Sequence, residues 1–83
     1  MKTHELKTWP QSYEAIKSGE KTFEYRLNDR DYKVGDLLLL RNFDPNTKQY
    51  LNDEILVKVT YIVYGGVYGI PKDYCIMAIR KAR

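Results

Sequence analysis

The spacing of apolar and polar residues changes along the chain, and each change marks an element. Between Pro10 and Ser18, Tyr13, Ile16 and Lys17 recur at helical spacing; Pro10 suits the first helical position and Gly19 the stop, which predicts a helix of roughly two to three turns. From Lys21 to Leu27 the period falls to two. Thr22, Glu24 and Arg26 alternate with Phe23, Tyr25 and Leu27, the pattern of a half-buried strand with its aromatic side inward and its charged side outward. Asn28, Asp29, Arg30 and Asp31 form a polar turn, and the corner Val34-Gly35-Asp36 leads into the apolar run Leu37 to Leu40, which is expected to be the most buried strand. Asp44-Pro45-Asn46-Thr47 signals a turn between extended segments at Asp36 to Asn42 and Glu54 to Tyr64, with an excursion ending near Asn52. In the second of these segments Ile55, Val57, Val59, Tyr61 and Val63 are expected to share one face. Gly65 to Lys72 is rich in glycine and reads as a mobile loop, and Asp73 to Arg80 as the closing strand.

This order predicts a single α+β domain over residues 1–83, in which about five short strands curl into a small barrel with one short helix near the start. The alternative is an open antiparallel sheet covered by the helix. Closure is favoured because strands this apolar would otherwise leave an adhesive edge.

Composition refines the picture. A chain of 83 residues can bury only one small core. Its aromatic content is eight tyrosines against two phenylalanines and one tryptophan, so rings that carry a hydroxyl must reach the surface in places. Cys75 is the only cysteine and lies in the apolar run Tyr74 to Met77, which excludes an internal disulfide and fits a reducing compartment. The opening MKTHELKTWP contains no continuous apolar segment, and no stretch is long enough to span a bilayer, so a soluble cytoplasmic protein with no membrane partner is expected. The net charge of +3 permits an anionic partner without demanding one. His4 has no companion cysteine or second histidine, so neither a metal site nor a cofactor is expected.

The most specific local feature is Gly19-Glu20-Lys21-Thr22-Phe23-Glu24-Tyr25-Arg26, between the helix and the first strong strand. It resembles the G-x-K-x-x-E-x-R signature of the activating signal cointegrator homology (ASCH) domain, matching all four of its positions. Lys33-Val34-Gly35-Asp36 before an apolar strand, the early helix, His4-Glu5-Leu6-Lys7, Asn28-Asp29-Arg30 and Tyr74-Cys75-Ile76-Met77 extend the resemblance over nearly the whole chain, to a short bacterial and phage branch of unassigned function. The resemblance implies a barrel like that of pseudouridine synthase and archaeosine transglycosylase (PUA-like), with a cleft beside the helix for RNA or a nucleotide.

The residues give that cleft chemical content. Glu24 and Arg26, two apart on a strand, share a face; Lys21 shares the face of Phe23 or, better, belongs to the preceding turn, where it can lean over the mouth and meet Glu24. Arg26 offers a planar fork of donors, Lys21 a point charge and Glu24 an acceptor for an exocyclic amine. Trp9 is a candidate stacking ring and Arg30, with Lys33, a candidate basic rim, whereas Tyr13 is assigned to the core and Arg80, Lys81 and Arg83 to a solvated tail. The competing reading of Glu24 and Arg26 is a surface ion pair of roughly 0–1 kcal/mol.

A binding module is therefore expected ahead of an enzyme. Relatives in the superfamily hydrolyse acylated cytidine with a threonine three residues after the motif lysine, but here that position is Glu24, which cannot serve as a hydroxyl nucleophile. Hydrolysis of a modified nucleoside or of RNA by Lys21 and Glu24 ranks second, and a coregulator-type protein-interaction domain, suggested only by the superfamily's name, ranks third; an exposed flat apolar patch would favour it.

Overall fold

The computed structural model describes residues 1–82; Arg83 of the expected tail lies outside the described residues. The elements run β1 (Thr3–Thr8), α1 (Pro10–Ser18), β2 (Phe23–Leu27), β3 (Leu37–Asp44), β4 (Gln49–Tyr64) and β5 (Tyr74–Lys81). Among the described residues five strands form one curled sheet in the order β1-β3-β4-β5-β2, with α1 as the single helix, a small α+β half-barrel.

The helix begins and ends where local chemistry places it. Trp9 precedes it in extended conformation, Pro10 occupies its first turn, and Gly19 stops it in the left-handed region, φ 89°, with its N–H donating to the Ile16 carbonyl. Tyr13 and Ile16 are its buried face. The core they join contains Leu6, Leu38, Leu40, Val57, Val59, Cys75 and Met77 from the concave side of the sheet, together with Tyr32 from the connection between β2 and β3.

Four features depart from the sequence reading. The first strand was not anticipated: Thr3–Thr8 is polar except for Leu6, yet it buries His4, Leu6 and Thr8 on alternate positions. It pairs in parallel with β3, Thr3 opposite Leu37 through Thr8 opposite Asn42. Its start is fixed by buried Asp36, which accepts hydrogen bonds from the Lys2 and Lys33 backbone N–H groups and pairs with His4 Nε2 at 2.8 Å.

Second, the sheet does not close by pairing. Strands β1 and β2 end it on opposite sides and share no ladder among the described residues. Arginine side chains cross the seam instead, Arg26 Nη2 donating to Lys7 O at 2.9 Å and Thr8 Oγ1 at 3.3 Å, and Arg30 Nη1 to Glu5 O at 3.2 Å.

Third, two faces are exchanged. In β2 the charged side faces inward: Glu24 is 3% exposed, whereas Phe23, Tyr25 and Leu27 lie outward and stay about half exposed. In β4 a bulge between Val59 and Tyr61 shifts the register by one, which sends Ile62 into the core and turns Tyr61 and Val63 outward.

Fourth, the connections are tighter than expected. The expected excursion to Asn52 is a short turn, with Lys48 N–H bonded to Asp44 O and Asn46 N–H to Asp44 Oδ1. The loop after β4 is hydrogen-bonded across itself, Gly66 N–H to Ile70 O and Ile70 N–H to Val67 O, and Gly65 lies so close to Pro71 and Tyr74 that a side chain there would collide with backbone.

Candidate functional site

Lys21, Glu24 and Arg26 meet at one hollow between the start of α1 and the inward face of β2, which is also lined by Thr8, Trp9 and Ser12. The left-handed Gly19 turns the chain back along the helix, so that the Lys21 N–H donates to the Ala15 carbonyl at 2.9 Å. The lysine stem then runs alongside α1, and its Nζ donates to Ser12 Oγ in the first helical turn. Glu24 reaches the same place from β2, with Oε1 at 3.8 Å from Lys21 Nζ and Oε2 at 2.7 Å from Arg26 Nε.

The pair formed by Glu24 and Arg26 is not the surface ion pair considered above. Glu24 is almost fully removed from water and Arg26 keeps about a quarter of its exposure. A carboxylate at that depth is tolerable because two cations flank it, and in return it holds both at fixed positions. Arg26 is thereby engaged at Nε and Nη2, which leaves Nη1 as its remaining donor group beside the hollow.

Lys7 joins the lining through its backbone, whose carbonyl accepts from Arg26, while its ammonium lies over the Phe43 ring at 4.7 Å to the centroid; Glu24 is the one carboxylate among the lining residues. Trp9 is 64% exposed at the rim, so core packing is not its role, whereas Tyr13 is buried at 2%. Arg30 is not part of this hollow. It lines a neighbouring one with Glu5, Asp29, Tyr32 and Tyr50, and Arg26 forms the wall between them. Lys33 points away, paired with Asp31 at 3.2 Å.

Thr8, Ser12 and Tyr74 also line the trio's hollow, and sequence reasoning did not single them out as site residues. Ser12 carried one usable signal: in a helix starting at Pro10 it occupies the first turn, the end toward which a chain reversed at Gly19 returns. Thr8 carried none, because its place depends on a parallel pairing with a strand some thirty residues later. Among the described residues no group of His, Cys, Asp and Glu is arranged to hold a metal ion, and no helix is long and apolar enough to cross a membrane.

A curled five-stranded sheet, one helix and a cation-lined hollow at the unpaired seam define the class: a small α+β half-barrel domain with a concave polar site. The chain belongs to the family described as Domain of unknown function (DUF3850), whose model matches residues 3–79. Its fold is also similar to that in the crystal structure of hypothetical protein PH0355, with a TM-score of 0.66 and 21% identity over 98% of this chain and 99% of that one. No curated protein matches it.

Proposed function

We propose that this protein is an RNA- or nucleotide-binding module of the PUA-like kind, with the ligand seated in the hollow formed by Lys21, Glu24 and Arg26. The observation that carries this reading is the arrangement itself: two cations held apart by a buried carboxylate at a concave mouth, with an exposed indole alongside. Lys21 and the free edge of Arg26 suit a phosphate, Glu24 Oε1 suits the exocyclic amine of a base, and Trp9 offers a face for stacking. The ASCH-like motif supports the same residues. Arg30 serves the adjoining hollow and can meet a second phosphate of a longer ligand.

The test is titration of fluorescent single-stranded RNA at several salt concentrations with the wild type, Lys21→Ala and Arg26→Ala, the fold of each variant being verified by circular dichroism. Affinity should fall with salt, and Lys21→Ala should reduce both affinity and the salt slope. Equal binding by a folded Lys21→Ala variant and the wild type rejects this site.

One observation favours hydrolysis as a second reading. The hydroxyl missing at position 24 has a counterpart in Ser12, whose Oγ accepts from Lys21 Nζ. Release of acid from an acylated cytidine, abolished by Ser12→Ala and by Lys21→Ala, would establish the enzyme over the binder.

A further inference from the structure

The lining of the hollow continues from the seam onto the convex side of the sheet, since Tyr25, Leu27 and Tyr74 belong to the outward faces of β2 and β5. On that side the two face exchanges act together. The inverted β2 presents Phe23 and Tyr25, at 47% and 49% exposure, and the bulge in β4 presents Tyr61 at 64%. Phe23 and Tyr61 lie in one row, both paired with Ala78 of the intervening β5, which sets them roughly 10 Å apart. Tyr25 stacks on Tyr74 with centroids 5.2 Å apart. No helix covers these rings; α1 lies on the other side of the sheet, where Tyr13 and Ile16 are buried.

Charge separates the candidate occupants of this face. The opposite end of the convex surface balances itself: Arg41 lies 3.7 Å from Glu5 and 3.6 Å from Glu54. The aromatic end does not. The outward positions of β2, of β5 and of β4 from Lys58 to Val63 include no carboxylate. One row beyond Tyr61, Lys58 and Arg80 stand directly opposite each other, and neither has an ion-pair partner among the described residues. Like charges facing each other across a ladder repel, and an anion laid between them relieves the repulsion. A second copy of this chain meeting the face by its own like surface would bring more unpaired cations to it, whereas a single-stranded nucleic acid brings rings to stack and phosphates to pair.

We infer that the ligand is a polymer: single-stranded RNA that enters the hollow and continues over the convex face, its bases on Tyr25 and Tyr74 and then on Phe23 and Tyr61, its phosphates reaching Lys58 and Arg80. This rests on the reading of the hollow given above and extends it from one nucleotide to several.

Oligouridylates of two and ten nucleotides, titrated into wild type, Phe23→Ala, Tyr61→Ala and Lys21→Ala, test it. The decamer should bind at least tenfold more tightly than the dinucleotide, and each convex-face substitution should weaken the decamer about fivefold or more; Tyr61→Ala should leave the dinucleotide unchanged, whereas Phe23 lies under Lys21 Nζ at 5.2 Å and is read on the decamer alone. Both substituted rings are surface residues, and unchanged melting curves would verify that the variants fold. Length-independent binding insensitive to Tyr61→Ala overturns the extended path and leaves the hollow standing. Sensitivity to Tyr61→Ala with none to Lys21→Ala retains the convex face and overturns the hollow. Binding of neither oligomer overturns both. Self-association seen in sedimentation that Tyr61→Ala abolishes, with RNA affinity unchanged, reassigns the face to a contact between copies.

Discussion

Glu24→Ala tests the physical core of the site. The substitution removes the acceptor 2.7 Å from Arg26 Nε and the carboxylate 3.8 Å from Lys21 Nζ, and it leaves two cations facing each other across a space that Glu24 had filled at 3% exposure. Breaking a fully buried pair costs about 3–5 kcal/mol. Arg26 and Lys21 retain 24% and 26% exposure, so water partly resolvates them and the expected loss is about 2–3 kcal/mol. In a domain of this size each kcal/mol moves the melting midpoint by roughly 4–8 °C, which places the Glu24→Ala midpoint about 10–20 °C below wild type. Glu24→Gln keeps an oxygen for Arg26 Nε and should lose about half as much in free energy. Urea unfolding followed by circular dichroism measures all of these. A Glu24→Ala protein within about 0.5 kcal/mol of wild type refutes the buried pair.

Three further outcomes follow from the fold. Burial alone would raise the Asp36 carboxyl, but hydrogen bonds from His4 and from the Lys2 and Lys33 N–H groups hold it below its ordinary 3.8; the unfolded chain therefore takes up the proton first, and the stabilisation present above about pH 4 is lost as pH falls through the lower folded value. Asp36→Asn should flatten that acid limb in urea unfolding between pH 2 and 7, taken as a range of about five pH units around the carboxylate values, and an unchanged slope counts against the pairing. Gly65→Ala should destabilise more than Gly19→Ala in thermal melts, since a Cβ at Gly65 would meet Pro71 O at 1.9 Å whereas Gly19 has open space and only its φ of 89°, worth roughly 1–2 kcal/mol, to resist it. Cys75 is fully buried and burial pushes its thiol up, so a thiol-specific reagent should leave the native protein unmodified and label one equivalent in guanidinium; fast native labelling would contradict the core.

Elements with local signals were legible. The helix from Pro10 to Ser18 has its own start and stop, and the turn at Asp44 to Thr47 its own Asx chemistry, so neither needed the rest of the protein. The motif also brought Lys21, Glu24 and Arg26 forward as a group, and the αL stop at Gly19 makes a return of Lys21 along the helix a local consequence. Arg30 is expected at the rim of the same cleft, but Arg26 lies between two hollows and Arg30 lines the other one.

What failed were two inferences in which hydrophobicity had to choose a side, in β2 and in β4 beyond Val59. The alternation in β2 revealed a strand but not its orientation: Glu24 lies inward between Lys21 and Arg26 while Phe23 and Tyr25 lie outward, and an alternating pattern with charge on one side and rings on the other is compatible with either side facing in. The face read through Tyr61 and Val63 was broken by one extra residue in β4, a bulge that exists only relative to its partner strand. The first strand was invisible for the same reason: its polar positions are buried by partners far along the chain, Asp36 for His4 and Asn42 beside Thr8. The amino-acid order by itself determined the period of most segments, the ends of the helix, and that Lys21, Glu24 and Arg26 would lie close together. Only the tertiary structure decided which side of each strand faces inward, since that depends on pairing between distant segments, and pairing put the charges inside the seam and the aromatic rings on the outer surface.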